Sequence, residues 1–574
     1  MDRLRKVLVR PTAPLVVGIL FGVSAAWVLV GAHAIYPADV KWVFGDDATY
    51  YSGWEQYRRD PHLHFPLSWT ERIGYPVGTS IALLDAIPIA AVLLRPLSAF
   101  LPEPFQYLGL WMLLSLVLQA YFGFSLLRRL FPADPLFALI GSVFLLIPAP
   151  LAYRLCGHIA LSSQWLILAG LDAYFRDPGA RPARWLCRPW ILLALAAAIN
   201  PYLAAMCLLI VLGCVVRLAI ERRSTWWQAA FYAAVTFVVV SVSGATLGVL
   251  VSGDVGTYRA GGYGRFSLNL NAPINPMGFK SLLLPELSLA YPQQIDGYSY
   301  LGLGIIGLLL VGLLRRPKTV LWLSQTRLAA IVGVAAACTM LAISTDVTFG
   351  AHLLLTIPLP AAVDSALQGL RASGRLFWPA FYLISVAALS LTFWTLNPSD
   401  RLAILTAALA LQVADLLPLY AQSRSRCDGR FDTPLTSPAW SGLGRRFDNL
   451  ILIPPYQCDP TQAAGGLYNY VYFGRLAAIE HLRLNNYYAA RYTHAELRAH
   501  CVDLLRAQLL GDLDPRSAYV VSDNVLTVCE VHGVPIVASV WTVSTCARPY
   551  RDTTGAIHRA PLPRRRTHST PCSI

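Results

Sequence analysis

The chain has 574 residues, of which 56% are hydrophobic and only 14% charged, with a mean hydropathy of +0.51. A soluble domain carries about a quarter charged residues, so this composition excludes a purely soluble or disordered chain. The net charge is +14, but the basic residues fall in short clusters between apolar runs, as positive loops that set topology do. They never gather with aromatic residues into one soluble module, which argues against nucleic-acid binding.

A membrane-crossing helix needs about 20 apolar residues. The first such run, Leu15 to Gly31, follows Arg3, Arg5, Lys6 and Arg10 and places the N-terminus in the cytoplasm. Ala32-His33-Ala34 also resembles a signal-peptidase site, and with or without cleavage the next segment is exported. The run Ile81 to Leu101 holds Asp85, Pro88, Arg95 and Pro96, which are costly in lipid. It is expected as a hairpin-like juxtamembrane segment that does not cross, making residues 34–105 one exported loop. Crossings near 106–127, 135–153 and 158–176 then put Arg128, Arg129 and the Arg176–Arg188 cluster inside. A helical hairpin from Trp190 to Ile220 breaks at Asn200-Pro201-Tyr202. Spans near 229–251, 299–314, 327–345, 376–396 and 401–420 complete the series, with Arg217, Arg222, Arg223, Arg315, Arg316 and Lys318 inside.

The expected fold is an all-α polytopic membrane bundle of about eleven transmembrane helices over residues 1–420. Its exported loops are 34–105, 252–297 and 346–375, and an exported small α/β domain occupies residues 421–574. In that domain the apolar runs shrink to strand length (Leu450 to Ile453, Ala518 to Val521, Val534 to Val537) and alternate with helix-like stretches such as Thr493 to Leu510. Six of the eleven cysteines lie there: Cys427, Cys458, Cys501, Cys529, Cys546 and Cys572. An even number in an exported domain favours disulfides, against buried free thiols, and leaves the pairing open. A flexible tail is expected from about residue 561, where Arg564-Arg565-Arg566 lies.

No phosphate-binding loop of the GxxxxGK[ST] type, HExxH motif or Gly-rich dinucleotide turn is present. The chemistry-bearing residues concentrate in the exported loops. Gly45-Asp46-Asp47 follows the first span directly. Adjacent carboxylates at a membrane surface suit proton abstraction from a hydroxyl, or a divalent cation held by oxygens, and they also suit a plain helix start. Neighbouring side chains diverge, so one of the pair is expected to face the reacting centre. His62 and His64 read as exposed loop histidines. Asp85, in an apolar stretch, must find a partner or line a cavity. The second loop carries Tyr258, Arg259, Arg265, Asn269, Asn271, Lys280, Glu286 and Asp296; long loops of this kind are usually lids or binding loops. The third ends in Arg371-Ala372-Ser373-Gly374-Arg375. Two arginines four apart at a helix start form an anion site, and their exported position runs against topology control. His158, at the exported start of a span, is a further candidate.

These residues, in this order, resemble the GT-C class of membrane glycosyltransferases. Asp46-Asp47 stands where that class keeps its acidic pair, and Gly74-Tyr75-Pro76-Val77-Gly78 through Asp85-Ala86-Ile87-Pro88 is similar to its juxtamembrane part. The chain is also similar to an uncharacterised bacterial multi-pass GT-C-like family. That similarity runs through Gly45-Asp46-Asp47, Asn269 to Pro276, Gly297-Tyr298-Ser299-Tyr300-Leu301-Gly302 and Arg371 to Arg375. The resemblance covers roughly residues 10–420. It implies transfer of a sugar from a polyprenyl-phosphate carrier to an exported glycan, lipid or protein acceptor, at a bacterial inner membrane with the C-terminal domain periplasmic. Asp46 or Asp47 would act as the base or hold a divalent cation, with no other cofactor indicated. Arg371 and Arg375 would stabilise the lipid-phosphate leaving group, and Tyr50, Tyr51 and Trp54 would stack on sugar faces. Asp85, His158, Arg265, Asn269 and Asn271 complete the expected substrate contacts. A lipid-linked-glycan flippase or polymerase, or a non-catalytic envelope assembly protein, is the alternative.

Overall fold

Local signals account for many of the helix boundaries. Asp134 accepts the Phe137 N–H at 3.1 Å ahead of a helix that starts on Pro135, and Thr225 forms a reciprocal capping box with Gln228. Asn200 does two things at once: its extended backbone ends one helix, and its side chain caps the next by accepting the Tyr202 N–H at 2.9 Å. The hairpin break therefore falls at Asn200-Pro201, as the sequence suggests.

The computed structural model describes residues 2–250, 255–256, 263–278, 280–315, 325–459, 463, 468–489 and 491–522. The helices of the bundle are α1 (Asp2–Leu8), α2 (Ala13–Leu29), α3 (Ala32–Ile35), α4 (Asp46–Arg58), α5 (Pro88–Leu94), α6 (Leu108–Leu130), α7 (Pro135–Leu146), α8 (Ala149–Arg154) and α9 (Trp165–Tyr174). They continue with α10 (Pro182–Ile199), α11 (Pro201–Ile220), α12 (Trp226–Thr246), α13 (Leu303–Leu314), α14 (Gln325–Ile343), α15 (Ala361–Gln368), α16 (Trp378–Thr395), α17 (Pro398–Asp415) and α18 (Leu417–Cys427). Of the described residues, 61% are helical.

Among the described residues seven helices are long and apolar enough to cross a membrane, or eight if α17 and α18, bent by 51°, form one span. The expected eleven fall to this number because three runs carry shorter helices: α2 with 17 residues, α9 with 10 and α13 with 12. The last two are shortened by polar stretches. Ser162, Ser163 and Gln164 before α9, and Ser299 before α13, are fully buried in irregular backbone. Protein packing tolerates such backbone where lipid would not. The 81–101 segment folds as a turn, the short α5 and a second turn, Arg95–Phe100, none of crossing length.

α6 fixes the vertical scale. Its 23 residues span about 34 Å at 1.5 Å per residue, roughly one hydrocarbon core. At one end Trp54 and Tyr107 pack edge to face. At the other Arg129 meets the fully buried Asp172 at 3.1 Å, which Arg176 (2.9 Å) and Arg188 (3.3 Å) also contact. The two arginine clusters expected on the inner side therefore share one carboxylate at the same end of the bundle.

Short strands shape the loops. β1 (Trp69–Thr70) pairs with β2 (Thr79–Ser80), and β4 (Asp346–Phe349) with β5 (His352–Thr356), both antiparallel. The C-terminal region contains β6 (Asn449–Ile453), α19 (Asn469–Ile479), β7 (Arg483–Leu484), α20 (His494–Arg498), α21 (Leu505–Leu509) and β9 (Ser517–Val521). The order β7-β6-β9 is parallel throughout, in register from Asn449 opposite Ser517 to Ile453 opposite Val521. Leu450, Leu452, Phe473 and Ala477 form its small core. Between these elements, β8 (Tyr492–Thr493) lies outside the sheet and pairs with β3 (Val255–Gly256) of the second loop. The expected strand Val534 to Val537, the tail from about 561, and Cys529, Cys546 and Cys572 lie outside the described residues.

Cysteine pairing departs from a framework confined to the C-terminal six. Cys458 bonds Cys501, but Cys427 bonds Cys156, which sits between α8 and α9. Such a long-range pair leaves no trace in cysteine spacing. The bridge ties α18, the last helix of the bundle, to the short turn that carries Gly157 and His158.

α2 packs along α6 through Gly18 and Gly22, and a Cβ at Gly22 would collide with the Val117 backbone. Small residues at such a crossing let two helix backbones approach closely. Gly22→Ala is expected to lower the thermal unfolding temperature of the purified protein by several degrees. Gly307→Ala, where an added Cβ meets nothing, leaves it unchanged; fluorescence-detected melting in detergent separates the two.

Candidate functional site

At the end of the bundle away from Asp172, α4 opens on its two carboxylates. The first turn of a helix favours acidic side chains, because its unpaired N–H groups carry partial positive charge. Successive residues on a helix diverge by about 100°, and here the divergence separates the pair. Asp46 turns into a cavity of about 90 Å³. Asp47 is buried away from it and accepts the Gly157 N–H at 2.9 Å through Oδ2, while its Oδ1 has no partner.

A chain of polar groups runs along the cavity wall from Asp46. His158 Nε2 lies 3.6 Å from Asp46 Oδ2, and its Nδ1 lies 3.5 Å from the Tyr50 hydroxyl. That hydroxyl donates to Asp85 Oδ2 at 3.5 Å, and Asn200 Nδ2 donates to Asp85 Oδ1 at 3.0 Å. Asp85 occupies the left-handed region at φ 57°, where a non-glycine residue is strained; the turn thereby aims a carboxylate out of an otherwise apolar segment. The Asn200 side chain that caps α11 thus also holds Asp85.

The facing wall is cationic. Arg371, just before the turn Ser373–Phe377 that leads into α16, and Arg375, within that turn, line the cavity. They stack over Phe266 at 5.0 Å and Tyr202 at 4.9 Å respectively. Arg375 Nη2 donates to Asp296 Oδ1 at 3.0 Å, and Arg154 Nη2 donates to the same oxygen at 2.8 Å. Asp296 therefore clamps two arginines from different helices. Tyr488 and Arg491 of the C-terminal region close the third side, with Arg491 donating to the Gly369 carbonyl. The segment bearing them is fixed by the first loop, where Gln56 Nε2 donates to Leu482 O (2.8 Å) and Tyr75 N–H to Leu484 O (3.0 Å). The β3–β8 pair fixes it to the second loop.

Charge states follow from this burial. Desolvation raises Asp46 to about 6, helped by Asp296 and Asp85 and opposed by Arg375 and Arg154. Desolvation and then Asp46 push Asp47 to about 8, despite the Gly157 N–H and Arg426. Burial also raises Asp85 against the pull of Arg375 and Arg491. For Asp296, burial is outweighed by the Arg375 and Arg154 guanidiniums, which hold it well below the usual carboxylate range. At neutral pH Asp46 is mainly ionised and Asp47 mainly neutral.

Of the expected site residues, Asp46, Tyr50, Asp85, His158, Arg371 and Arg375 meet at this cavity. Others do not. Asp47 faces Gly157. Tyr51 lies on another face of α4, and Trp54 is fully buried, donating to Phe105 O at 3.1 Å. Asn269 is fully buried and binds Gln294 (3.0 Å) and Gly350 (2.8 Å), while Asn271 donates to Ser288 O at 3.2 Å. Asn269 thus ties the second loop to the third, and Asn271 closes the second loop on itself. Arg265 stacks over Tyr291 at 5.5 Å, away from the cavity. Tyr258 and Arg259 lie outside the described residues. His64 pairs with Asp60 at 3.2 Å in the first loop. Asp46 and Asp47 do not converge on one point, and among the described residues no group of three or more His, Cys, Asp or Glu could hold a metal ion.

Arg154, Tyr488 and Arg491 escaped the sequence reading. Arg154 carried a usable signal, since it ends an apolar run whose far end the sequence reading assigns to the exported side, against the same charge rule that singles out Arg371 and Arg375. Tyr488 and Arg491 carried none, because only the docking of the C-terminal sheet brings them close.

Residues 19–417 match the family described as a domain of unknown function, DUF6311, and residues 439–536 match the DUF6311 C-terminal domain. The chain belongs to the DUF6311 family. In this DUF6311 member the two matched regions meet at the cavity, since Asp46, Asp85, Arg371 and Arg375 come from the first and Tyr488 and Arg491 from the second. No curated protein matches the chain.

Asp47 provides a test of the electrostatics. A carboxyl raised to about 8 in the folded state adds stability that is complete below its ordinary value and is lost as pH rises through 8. Asp47→Asn keeps an oxygen for the Gly157 N–H and cannot ionise. The variant is expected to unfold at a temperature higher than the parent by a few degrees at pH 8, with the gap closing toward pH 5, in melting curves recorded across that range.

Proposed function

We propose that this DUF6311 member is an integral membrane glycosyltransferase that moves a sugar from a polyprenyl-phosphate carrier to an exported glycan, lipid or protein acceptor. One observation carries the reading: a carboxylate that ionises near neutral pH and two arginines line a single cavity, at the end of the bundle that loop charge assigns to the exported side. The assignment to a bacterial inner membrane, with the N-terminus cytoplasmic and the C-terminal domain periplasmic, belongs to the same proposal.

In this reading Asp46 takes the proton of the acceptor hydroxyl as its oxygen attacks the anomeric carbon. The bond between that carbon and the lipid-phosphate oxygen breaks, and the phosphate leaves with the bonding electron pair. Arg371 and Arg491 face the charge that develops there, and preorganised cations in a water-poor site stabilise such charge strongly. Arg375, tied to Asp296, adds positive potential with little freedom to move. His158 and Tyr50 connect Asp46 to Asp85 and supply a route by which the proton can be shared. Asp47 holds the turn that carries His158 by accepting the Gly157 N–H. The lipid chain would lie in a groove of the bundle, so the absence of a nucleotide motif is in keeping with the reading.

Compositional mass spectrometry of envelope glycans in a deletion strain tests this. Complementation with the natural gene is expected to restore one missing sugar, Asp46→Asn to restore about a hundredth of it or less, and Asp47→Asn most of it. Full restoration by Asp46→Asn would overturn the assignment of the base, and an unchanged glycan profile in the deletion strain would favour an assembly protein. In purified protein the rate should climb with pH through about 6, as Asp46 loses its proton, and then level off.

A further inference from the structure

A second cavity, of about 630 Å³, lies where the first exported loop meets the C-terminal domain. Its wall shares α4 with the first site. Tyr50 faces one cavity and Tyr51 the other, and adjacent helix residues point about 100° apart, so the two cavities flank the same helix. The exposed Tyr36 ring supplies aromatic surface, and Tyr51 lies buried in the wall.

The charged groups around this cavity are unevenly matched. Glu103 is engaged by Arg59 at 3.4 Å, Arg58 at 3.6 Å and His481 at 3.4 Å. Asp39 is engaged by His33 at 3.5 Å and by the Lys41 N–H at 2.9 Å. The side chains of Lys41, Arg430 and Arg475 have no carboxylate within ion-pair distance among the described residues. Arg475 donates one bond to the Phe431 carbonyl at 3.2 Å and lies close enough to Tyr51 to influence it electrostatically. Arg59 Nε is buried at the same wall with no partner. The junction itself is firmly made, because Phe44 stacks on Phe431 at 4.2 Å.

Three cations without carboxylate partners among the described residues, and one exposed tyrosine ring, around an open hollow suit one chemistry: sugar rings that bear carboxylates or phosphates. Rings stack on aromatic faces, and guanidinium groups bind the anions in a fixed fork. An anionic lipid headgroup shares the charge, but one side of this wall comes from the C-terminal domain (Arg430, Arg475, Ala478, Ile479 and His481), which favours a soluble chain. We propose that this cavity is a docking site for an acidic glycan, and that the glycan is the acceptor held beside the transfer site. The acceptor role rests on the transferase reading; binding of an acidic glycan does not.

Binding of a fluorescent oligogalacturonate to the full-length protein in nanodiscs of phosphatidylcholine tests the site. A neutral malto-oligosaccharide of equal length serves as the comparison. The acidic probe is expected to bind at least tenfold more tightly than the neutral one, and more weakly as salt rises. The variant Arg430→Glu/Arg475→Glu should lose that preference, while Arg430→Gln/Arg475→Gln, a milder change, should reduce it with unchanged melting temperature. Equal affinity for both probes, or an acidic preference that survives charge reversal in folded protein, overturns the proposal. Charge-dependent binding to phosphatidylglycerol vesicles with none to the oligogalacturonate also overturns it, in favour of a lipid surface. Asp46→Asn should bind the acidic probe normally, so a failure of the transferase reading in the glycan profile leaves this result standing and the two are told apart.

Discussion

The site depends on a carboxylate shared between two arginines. Asp296 accepts from Arg154 at the end of α8 and from Arg375 at the start of the α16 turn. A buried guanidinium is costly without a partner, and removing one member of a buried pair costs far more than the pair contributes. The contact therefore fixes three parts of the chain together: the second loop, the end of one apolar helix and the beginning of another. It also shapes the potential around Asp46, because the two arginines that stabilise Asp296 oppose the repulsion that raises Asp46.

The sequence was informative wherever a polar residue stood out against an apolar or wrongly charged background. Asp46, Asp85, Arg371 and Arg375 were legible for that reason, and so was the break at Asn200. It was uninformative where the partner lies far along the chain. Nothing in the local pattern pairs Cys156 with Cys427, or places Tyr488 and Arg491 opposite Tyr50. Abundance misled in the second loop: Asn269 and Asn271 have the chemistry for sugar hydroxyls, but full burial commits their amides to Gln294, Gly350 and Ser288. Span counting was weakest where buried serines and a glutamine interrupt apolar runs, since hydropathy alone does not tell irregular backbone inside a bundle from a helix in lipid.

The boundary between the two matched regions is equally a matter of physics. The C-terminal sheet has its own small core around Leu450 and Phe473, which would suit an independent module. The β8 strand, however, completes a pair with the second loop, and the stretch from Leu482 to Tyr492 touches the first and third as well. The two regions behave as parts of one chamber.

The shared wall of that chamber has a consequence for dissection. Tyr488 and Arg491 line the cavity beside Asp46, held there by the β3–β8 pair and by the bond from Arg491 to the Gly369 carbonyl. A bundle separated from the C-terminal region would keep Asp46, Arg371 and Arg375 but present them in an open groove, so neither half alone carries the whole site.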